Sequence, residues 1–287
     1  MNEKPIDFDN ELFISDLDGT LLSPQHEISP STVSVLKDAI SKGLKFTVAS
    51  ARSCFSIRQL LHEIPLNYPI IANNGAVLFS PEGKRLYQAN LDHSSLEVLY
   101  DHFKRLHQTP LLSVEGDLPK LFYAENCNGW IDEYMALKKA SGDGRVEKID
   151  DVFGVKEGII TVTLLDTKAR MEEAFASLLQ ADYREVNMYL MDLPDIEGLC
   201  TITILSKEAD KGKTLSRLRT FLNEPVKVTA FGDQLNDISL LNAADYKVAV
   251  ANAVEPLKAI ADHICRSNGE EGVALYIRER IETDEAN

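Results

Sequence analysis

Two hydrophobic rhythms alternate along the first part of the chain. Leu12–Ser15 is a short apolar run that rises straight into the acidic turn Asp16–Thr20, the pattern of a buried strand at its carboxyl end. Ser29 and Pro30 have the character of an N-cap and first helical position. Val33, Leu36, Ala39 and Ile40 supply an apolar stripe, and Gly43 stands where a left-handed residue would end that helix. Leu44–Ala49 is a second buried strand, Ile57, Leu60, Leu61 and Ile64 recur at helical spacing, and Ile70–Ala72 is a third strand. This β-α-β-α-β order with short connections predicts a parallel sheet with helices on both faces.

The rhythm changes after Asn74. Ala76–Phe79, the turn Ser80–Gly83 and Arg85–Tyr87 read as a hairpin, and a different architectural unit is expected to begin there. Leu96, Leu99, Phe103 and Leu106 mark a helix, Leu111–Val114 and Leu121–Ala124 strands, and Trp130–Lys139 a helix. Ile159–Leu165, a helix carrying Met171, Ala174, Phe175, Leu178 and Leu179, and the runs Val186–Met191 and Leu199–Leu205 complete a mixed α/β set. Asp117, Pro119, Asn126–Gly129 and Ser141–Gly144 are expected in loops. Alternation resumes with a helix over Gly212–Leu222 and the strand Val226–Phe231, which enters a second acidic turn, Gly232–Asp237. Tyr246–Val250 and His263–Cys265 follow as short strands, and the acidic tail from Glu282 is expected to fray. The chain thus leaves its first domain and returns to it.

At 287 residues two domains are the natural division, and 44% hydrophobic with 26% charged residues is a globular composition. Forty-five acidic against 30 basic side chains leave −15, a field that repels polyphosphate backbones, so nucleic acid is not an expected partner while a small phosphate can still bind locally. No apolar run approaches the roughly 18–20 residues that cross a bilayer, so no membrane partner is expected. Met1–Asn10 carries Glu3, Asp7 and Asp9 without a basic segment leading into an apolar one, so no secretory leader is expected and the location is expected to be cytoplasmic. Cys54, Cys127, Cys200 and Cys265 are scattered singly, and no histidine pair has zincin spacing, so any metal should be oxygen-ligated.

Four features gather at strand ends of the discontinuous domain: Asp16-x-Asp18-Gly19-Thr20, Ser50 with Arg52, Lys211, and Gly232–Asp237. Ligands of open α/β sheets bind outside the carboxyl ends of strands, so turns from different strands can converge on one crevice. Carboxylates crowded there repel one another, and a hard divalent cation such as Mg2+ relieves the repulsion. Each feature has a plainer reading. Asp237 can be an ordinary helix cap, Asp16–Gly19 an ordinary turn, Lys211 a solvated lysine and Arg52 a helix-terminus residue; the joint arrangement is what favours chemistry. Gly212-Lys213-Thr214 mimics the end of a P-loop, but the glycine that motif needs is Lys207.

In this arrangement the chain resembles the haloacid dehalogenase superfamily of phosphohydrolases, specifically the Cof-type subfamily with a large α/β cap. Motif one, D-x-D-G-T-L-L, stands as Asp16 to Leu22, the lysine of motif three as Lys211 in Lys211-Gly212, and motif four, G-D-x-x-N-D, as Gly232 to Asp237. Asn73-Asn74-Gly75-Ala76 resembles the subfamily's N-G-A turn. Motif two, usually T-G-R, departs here to Ser50-Ala51-Arg52; if the middle position requires φ > 0, Ala51 would be strained.

The resemblance implies a Rossmann-like doubly wound parallel core at 1–79 and 205–287 with an inserted α/β cap at 83–200. It implies a Mg2+-dependent phosphatase that acts on a small phosphorylated metabolite such as a sugar phosphate, nucleotide or phosphorylated cofactor. Asp16 would be the nucleophile, Asp18 the general acid and base, and Lys211 the catalytic cation. Metal would be held by Asp16, the Asp18 carbonyl and Asp233, with Asp237 in support, and substrate contacts would fall on Thr20, Ser50, Arg52, Asn74, Gly75 and Asn236. A phosphomutase on the same scaffold and a non-catalytic phosphate-binding protein are the alternatives, the second opposed by the paired Asp16 and Asp18. The sequence leaves monomer and homo-oligomer equally open.

Overall fold

Apolar strand runs need partners on both faces, and the chain supplies them by crossing over with helices. The computed structural model describes residues 10–285 apart from Asp117, Asp182, Pro194, Asp195, Asn223 and Glu224. The expected loop residue Asp117, the start of the chain through Asp9 and the last two tail residues therefore lie outside the described residues. Two compact units result, one formed by Met1–Tyr87 with Asp210–Asn287, the other by Gln88–Ala209.

The first unit begins with β1 (Glu11–Ser15), a one-turn π-type coil over Leu17–Leu21, and α1 (Pro30–Ser41). Ser29 caps α1 by accepting from the Thr32 amide at 3.0 Å, and Gly43, at φ 104°, reverses the chain after it. β2 (Lys45–Val48), α2 (Cys54–Leu60), β3 (Ile70–Ala72), β4 (Val77–Phe79) and β5 (Arg85–Gln88) follow. β3, β4 and β5 form a sheet of their own, and the isolated parallel bridge Ala49–Ile71 joins it to the end of β2. The expected third parallel strand is thus the first of a separate three-stranded sheet. The expected hairpin is present, but it stays with the first unit, which runs on to Tyr87.

The second unit carries α3 (His93–Arg105), β6 (Leu111–Val114), β7 (Lys120–Ala124), α4 (Gly129–Ala140), β8 (Val146–Ile149), β9 (Ile159–Thr167), α5 (Lys168–Gln180), β10 (Val186–Asp192) and β11 (Leu199–Ser206). Its six strands lie in the order β10-β11-β9-β6-β7-β8, antiparallel except for the β7–β8 edge pair. Alternation across the pleat sorts neighbours onto opposite faces. Leu112, Val162 and Leu164 join Leu96, Leu99 and Phe103 of α3 and Met171 and Leu178 of α5, while Leu111 and Leu165 meet Ile131 and Met135 of α4. The sequence boundary at Leu205 falls inside β11, and the chain re-enters the first unit at Asp210.

There it forms α6 (Lys211–Phe221), β12 (Lys227–Gly232), α7 (Ile238–Ala243), β13 (Tyr246–Val250), α8 (Glu255–Lys258), β14 (His263–Cys265) and α9 (Gly272–Glu285). The main sheet is parallel throughout, in the order β14-β13-β12-β1-β2. From β1 the chain steps one way to β2, and from β12 it steps the other way to β13 and β14. With right-handed crossovers this places the helices on opposite faces and makes the gap between β1 and β12 a topological switch point. Beneath it Phe13, Phe231 and Tyr276 stack, with Phe231 and Tyr276 edge to face at 5.4 Å, which ties α9 to the two central strands. Among the described residues no helix is long and apolar enough to cross a membrane.

Candidate active site

Parallel pairing of β1 with β12 sets Ser15 opposite Phe231, so the residues that follow each strand emerge side by side. The Asp16 amide donates to the Phe231 carbonyl at 3.0 Å, extending the ladder by one bond before the chains turn. Asp16 leaves from one strand, Asp233 and Asp237 from the loop after the other. One carboxylate oxygen of each lies within 4.8 Å of the others, and all three side chains are buried.

Lys211 opens α6 beneath them. Gly212 allows this: a Cβ there would fall 2.1 Å from the Ser239 carbonyl oxygen, so α6 and α7 meet backbone to backbone and the lysine is delivered to the carboxylates. Its Nζ lies 2.6 Å from both Asp16 Oδ1 and Asp237 Oδ1 at 1% exposure, which removes the solvated-lysine reading. Asp237 keeps its plainer role too. Its Oδ2 accepts from the amides of Asp233 and Gln234 at 3.0 and 3.1 Å, shaping the loop that presents Asp233.

Electrostatics follow from this crowding. Burial drives the Asp16 carboxyl well above the usual carboxylate range, with Asp237 and Asp233 adding repulsion that Lys211 only partly offsets. Asp233 is pushed up to about 6, first by burial and then by Asp237. Burial alone would lower Lys211, but the carboxylates of Asp16 and Asp237 outweigh it and hold the ammonium above its ordinary value. Three buried carboxylates facing a single ammonium form an oxygen-only donor set short of positive charge, which fits a hard divalent cation.

Asp18 stands outside that cluster. Arg52 grips it as a fork, Nε to Oδ2 at 2.8 Å and Nη2 to Oδ1 at 2.7 Å, and His26 Nδ1 lies 3.0 Å from Oδ1. Burial pushes the Asp18 carboxyl up, but Arg52 and then His26 outweigh it and hold it below the usual range. Gly19, at φ 82°, lies so close to Asp233 that a Cβ would sit 2.3 Å from its Oδ2.

Thr20, expected to touch substrate, donates its proton to Asp233 Oδ1 at 2.9 Å, so what it orients directly is a carboxylate. Ser50 is fully buried; its Oγ accepts from the Arg52 amide at 3.1 Å and its carbonyl from the Asn74 amide at 2.9 Å. Asn236 Nδ2 donates to Asn74 Oδ1 at 3.0 Å, which links motif four to the Asn73–Ala76 turn. Gly75 serves packing: a Cβ would meet the Asp210 carbonyl oxygen at 2.4 Å, and its own carbonyl accepts from Thr214 Oγ1 at 2.7 Å. It thereby fixes the start of α6. Ala51 is absent from the positive-φ residues, so the alanine of the second motif carries no left-handed strain.

Two residues escape the sequence reading. Asn252, just past β13, donates from Nδ2 to the Gly19 carbonyl at 2.8 Å and accepts from the Asn268 amide, and its strand-end position was a usable signal. His26 lies on a tight turn and carries no sequence signal.

The profile of the haloacid dehalogenase-like hydrolases matches residues 13–277. Phosphatase YwpJ of Bacillus subtilis (strain 168) is 30% identical over 93% of this chain and 99% of its own. The 5-amino-6-(5-phospho-D-ribitylamino)uracil phosphatase YwtE of the same organism is 28% identical over 91% and 95%. A haloacid dehalogenase-like hydrolase from Bacteroides thetaiotaomicron shares the fold, with a TM-score of 0.76 at 22% identity over 94% of this chain and 99% of that one. A profile match that starts within β1 and ends in α9, together with a near full-length phosphatase relative, means that the chain belongs to the haloacid dehalogenase-like hydrolases, in their phosphatase branch.

Proposed function

We propose that this chain hydrolyses the phosphomonoester of a small phosphorylated metabolite through a phosphorylated Asp16, with Mg2+ as its cofactor. The observation that carries this reading is the buried ammonium of Lys211 bridging Asp16 and Asp237 beside Asp233. Such a group neutralises charge on a transferring phosphoryl, which is the main task in this chemistry. Carboxylates of Asp16 and Asp233, with the Asp18 carbonyl and support from Asp237, would hold the ion. When bound, Mg2+ supplies further positive charge against the phosphoryl oxygens.

An Asp16 carboxylate oxygen forms the bond to phosphorus as the ester oxygen leaves with the bonding pair, and Asp18 gives that oxygen a proton. Asp18, now a carboxylate, takes a proton from water as the water oxygen attacks phosphorus, which releases phosphate and restores Asp16. Arg52 holds Asp18 in the form the second half needs. An anionic substrate that draws the guanidinium toward itself frees Asp18 to carry a proton for the first half, so the expected substrate role of Arg52 and its observed grip on Asp18 belong to one exchange. The second unit is proposed to act as the cap that selects the leaving group. Relatives support a small substrate, since one is named for a phosphorylated ribitylamino-uracil.

A phosphate-release screen over sugar phosphates, nucleotides and phosphorylated cofactors tests the reading. Turnover should vanish with EDTA and with Asp16→Asn, and return with Mg2+ in the wild type. Activity that survives both treatments would refute it, and labelled phosphate appearing on a second position of the substrate would make the enzyme a mutase.

A further inference from the structure

His26 occupies a left-handed conformation, uncommon outside glycine. The turn Ser23–Glu27 is closed by the Ser23 amide on the Glu27 carbonyl at 2.9 Å and the His26 amide on the Ser23 carbonyl at 2.9 Å, and Ser23 Oγ accepts from the amides of Gln25 and Glu27. In this turn His26 has φ 61°, in the left-handed region that favours glycine. Here Nδ1 reaches Asp18 Oδ1 at 3.0 Å, and because a carboxylate only accepts, that nitrogen is the one bearing hydrogen.

Three donors from two loops therefore meet one carboxylate: the Arg52 fork from the segment after β2, and His26 from the turn after motif one. A fork alone keeps guanidinium and carboxylate coplanar while leaving the pair free to pivot about the Asp18 side-chain torsions. That matters because the Asp18 side chain is 35% exposed. A third donor, anchored on a different loop, removes the pivot.

We propose that His26 is a positioning residue for Asp18, holding its carboxylate where the leaving oxygen arrives and keeping it there while Arg52 turns to substrate. The inference rests on the reading of Asp18 as the proton donor given above.

His26→Gly tests it, because glycine takes φ 61° without strain and leaves only the hydrogen bond missing. A hydrogen bond to a charged group sets the scale, so kcat/KM on an alkyl phosphate, which reports the step that forms the phosphorylated Asp16, should fall by about 10- to 100-fold, and kcat/KM on p-nitrophenyl phosphate, whose leaving group needs no proton in that step, should change little. His26→Asn places an amide N–H at the same number of bonds from the backbone and tolerates left-handed geometry, so it should recover most of the loss. By NMR, exchange of the Arg52 Nε hydrogen with water should quicken in His26→Gly and slow again in His26→Asn, a readout that needs no turnover. Equal losses on both substrates, no loss on the alkyl phosphate, no recovery in His26→Asn, or unchanged Arg52 exchange would each overturn the proposal. Asp18→Asn run in parallel separates the two layers: if it leaves alkyl-phosphate turnover intact, the role of Asp18 is wrong, and if it abolishes turnover while His26→Gly does nothing, only His26 is wrong.

Discussion

Replacing Asp233 by asparagine should make the metal-free protein more stable. The Asp233 carboxyl is 4% exposed and titrates at about 6 rather than 3.8, because burial and Asp237 both oppose its charge. A group whose native pKa is raised binds more protons folded than unfolded, so its contribution to stability falls as pH rises through the interval between those values. Two pKa units correspond to about 3 kcal/mol of destabilisation once the group is fully ionised in the fold, near pH 7. Asparagine keeps the carbonyl that accepts the Thr20 hydroxyl at 2.9 Å and carries no charge to bury. In EDTA near pH 7 the melting temperature of Asp233→Asn should therefore exceed that of the wild type by roughly 6–12 °C, at about 2–4 °C per kcal/mol for a unit of this size. The difference should close near pH 4, where both side chains are neutral. With Mg2+ at about ten times its dissociation constant the wild type should gain about 1.4 kcal/mol and the variant nothing. Differential scanning calorimetry across pH, with and without Mg2+, reads all three. A variant less stable than wild type in EDTA, or a gap that widens toward acid, would show that the cluster is not short of positive charge.

Lys211→Met removes the single ammonium between Asp16 and Asp237 and should cost about 3–5 kcal/mol in urea denaturation near neutral pH, with phosphatase turnover lost; adding Asp16→Asn should return part of that stability and none of the turnover. Gly19→Ala drives a Cβ to 2.3 Å from Asp233 Oδ2 at φ 82°, so steady-state assays should show at least about a hundredfold loss of kcat/KM and melting a loss of about 2 kcal/mol, with serine no better. Asp92 caps α3 by accepting from the Ser95 amide at 2.8 Å, and its bonds from Ser94 and Ser95 hold it down to about 2. A depressed carboxyl stabilises above its unfolded value and loses that effect as pH falls through its folded one, so the cost of Asp92→Ala, about 1 kcal/mol at neutral pH, should fade between about pH 4 and pH 2 in amide exchange of α3.

The strands that carry the chemistry were legible because each is a short apolar run ending in a conspicuous polar turn: Leu12–Ser15 into Asp16 and Val226–Phe231 into Gly232. Their adjacency, and hence the meeting of Asp16, Asp233, Asp237 and Lys211, followed from strand-end logic and motif order together. β8 was missed because Val146-Glu-Lys-Ile149 has two charged residues at its centre and lies on a sheet edge, where a solvated face is tolerated. α9 was missed although Val273, Tyr276, Ile277 and Ile281 recur at helical spacing and are buried, since Arg278, Glu279, Arg280 and Glu282 crowd between and beside them. Unit boundaries slipped by several residues at each crossing, since β5 and the end of β11 are strands like their neighbours and periodicity does not record which sheet a strand joins. His26 was invisible because a turn conformation, and not a spacing, brings it to Asp18.

Neighbouring strands β1 and β12 are separated in sequence by more than two hundred residues, with the whole of the second unit threaded between them. During synthesis the ribosome therefore delivers β1 long before its partner exists. Until β12 emerges, one side of β1 presents unpaired amides and carbonyls, the kind of edge that recruits foreign strands. Gln88–Ala209 can meanwhile settle from contacts wholly its own. The late closure of β12 onto β1 is a step of high sequence separation, and loop-closure entropy makes such steps slow. A nascent chain stopped before residue 227 contains Asp16, Asp18 and Lys211 but lacks β12 together with Asp233 and Asp237. The carboxylate cluster is therefore completed only with the last third of the chain, and a chain ended earlier keeps one side of β1 open to foreign strands.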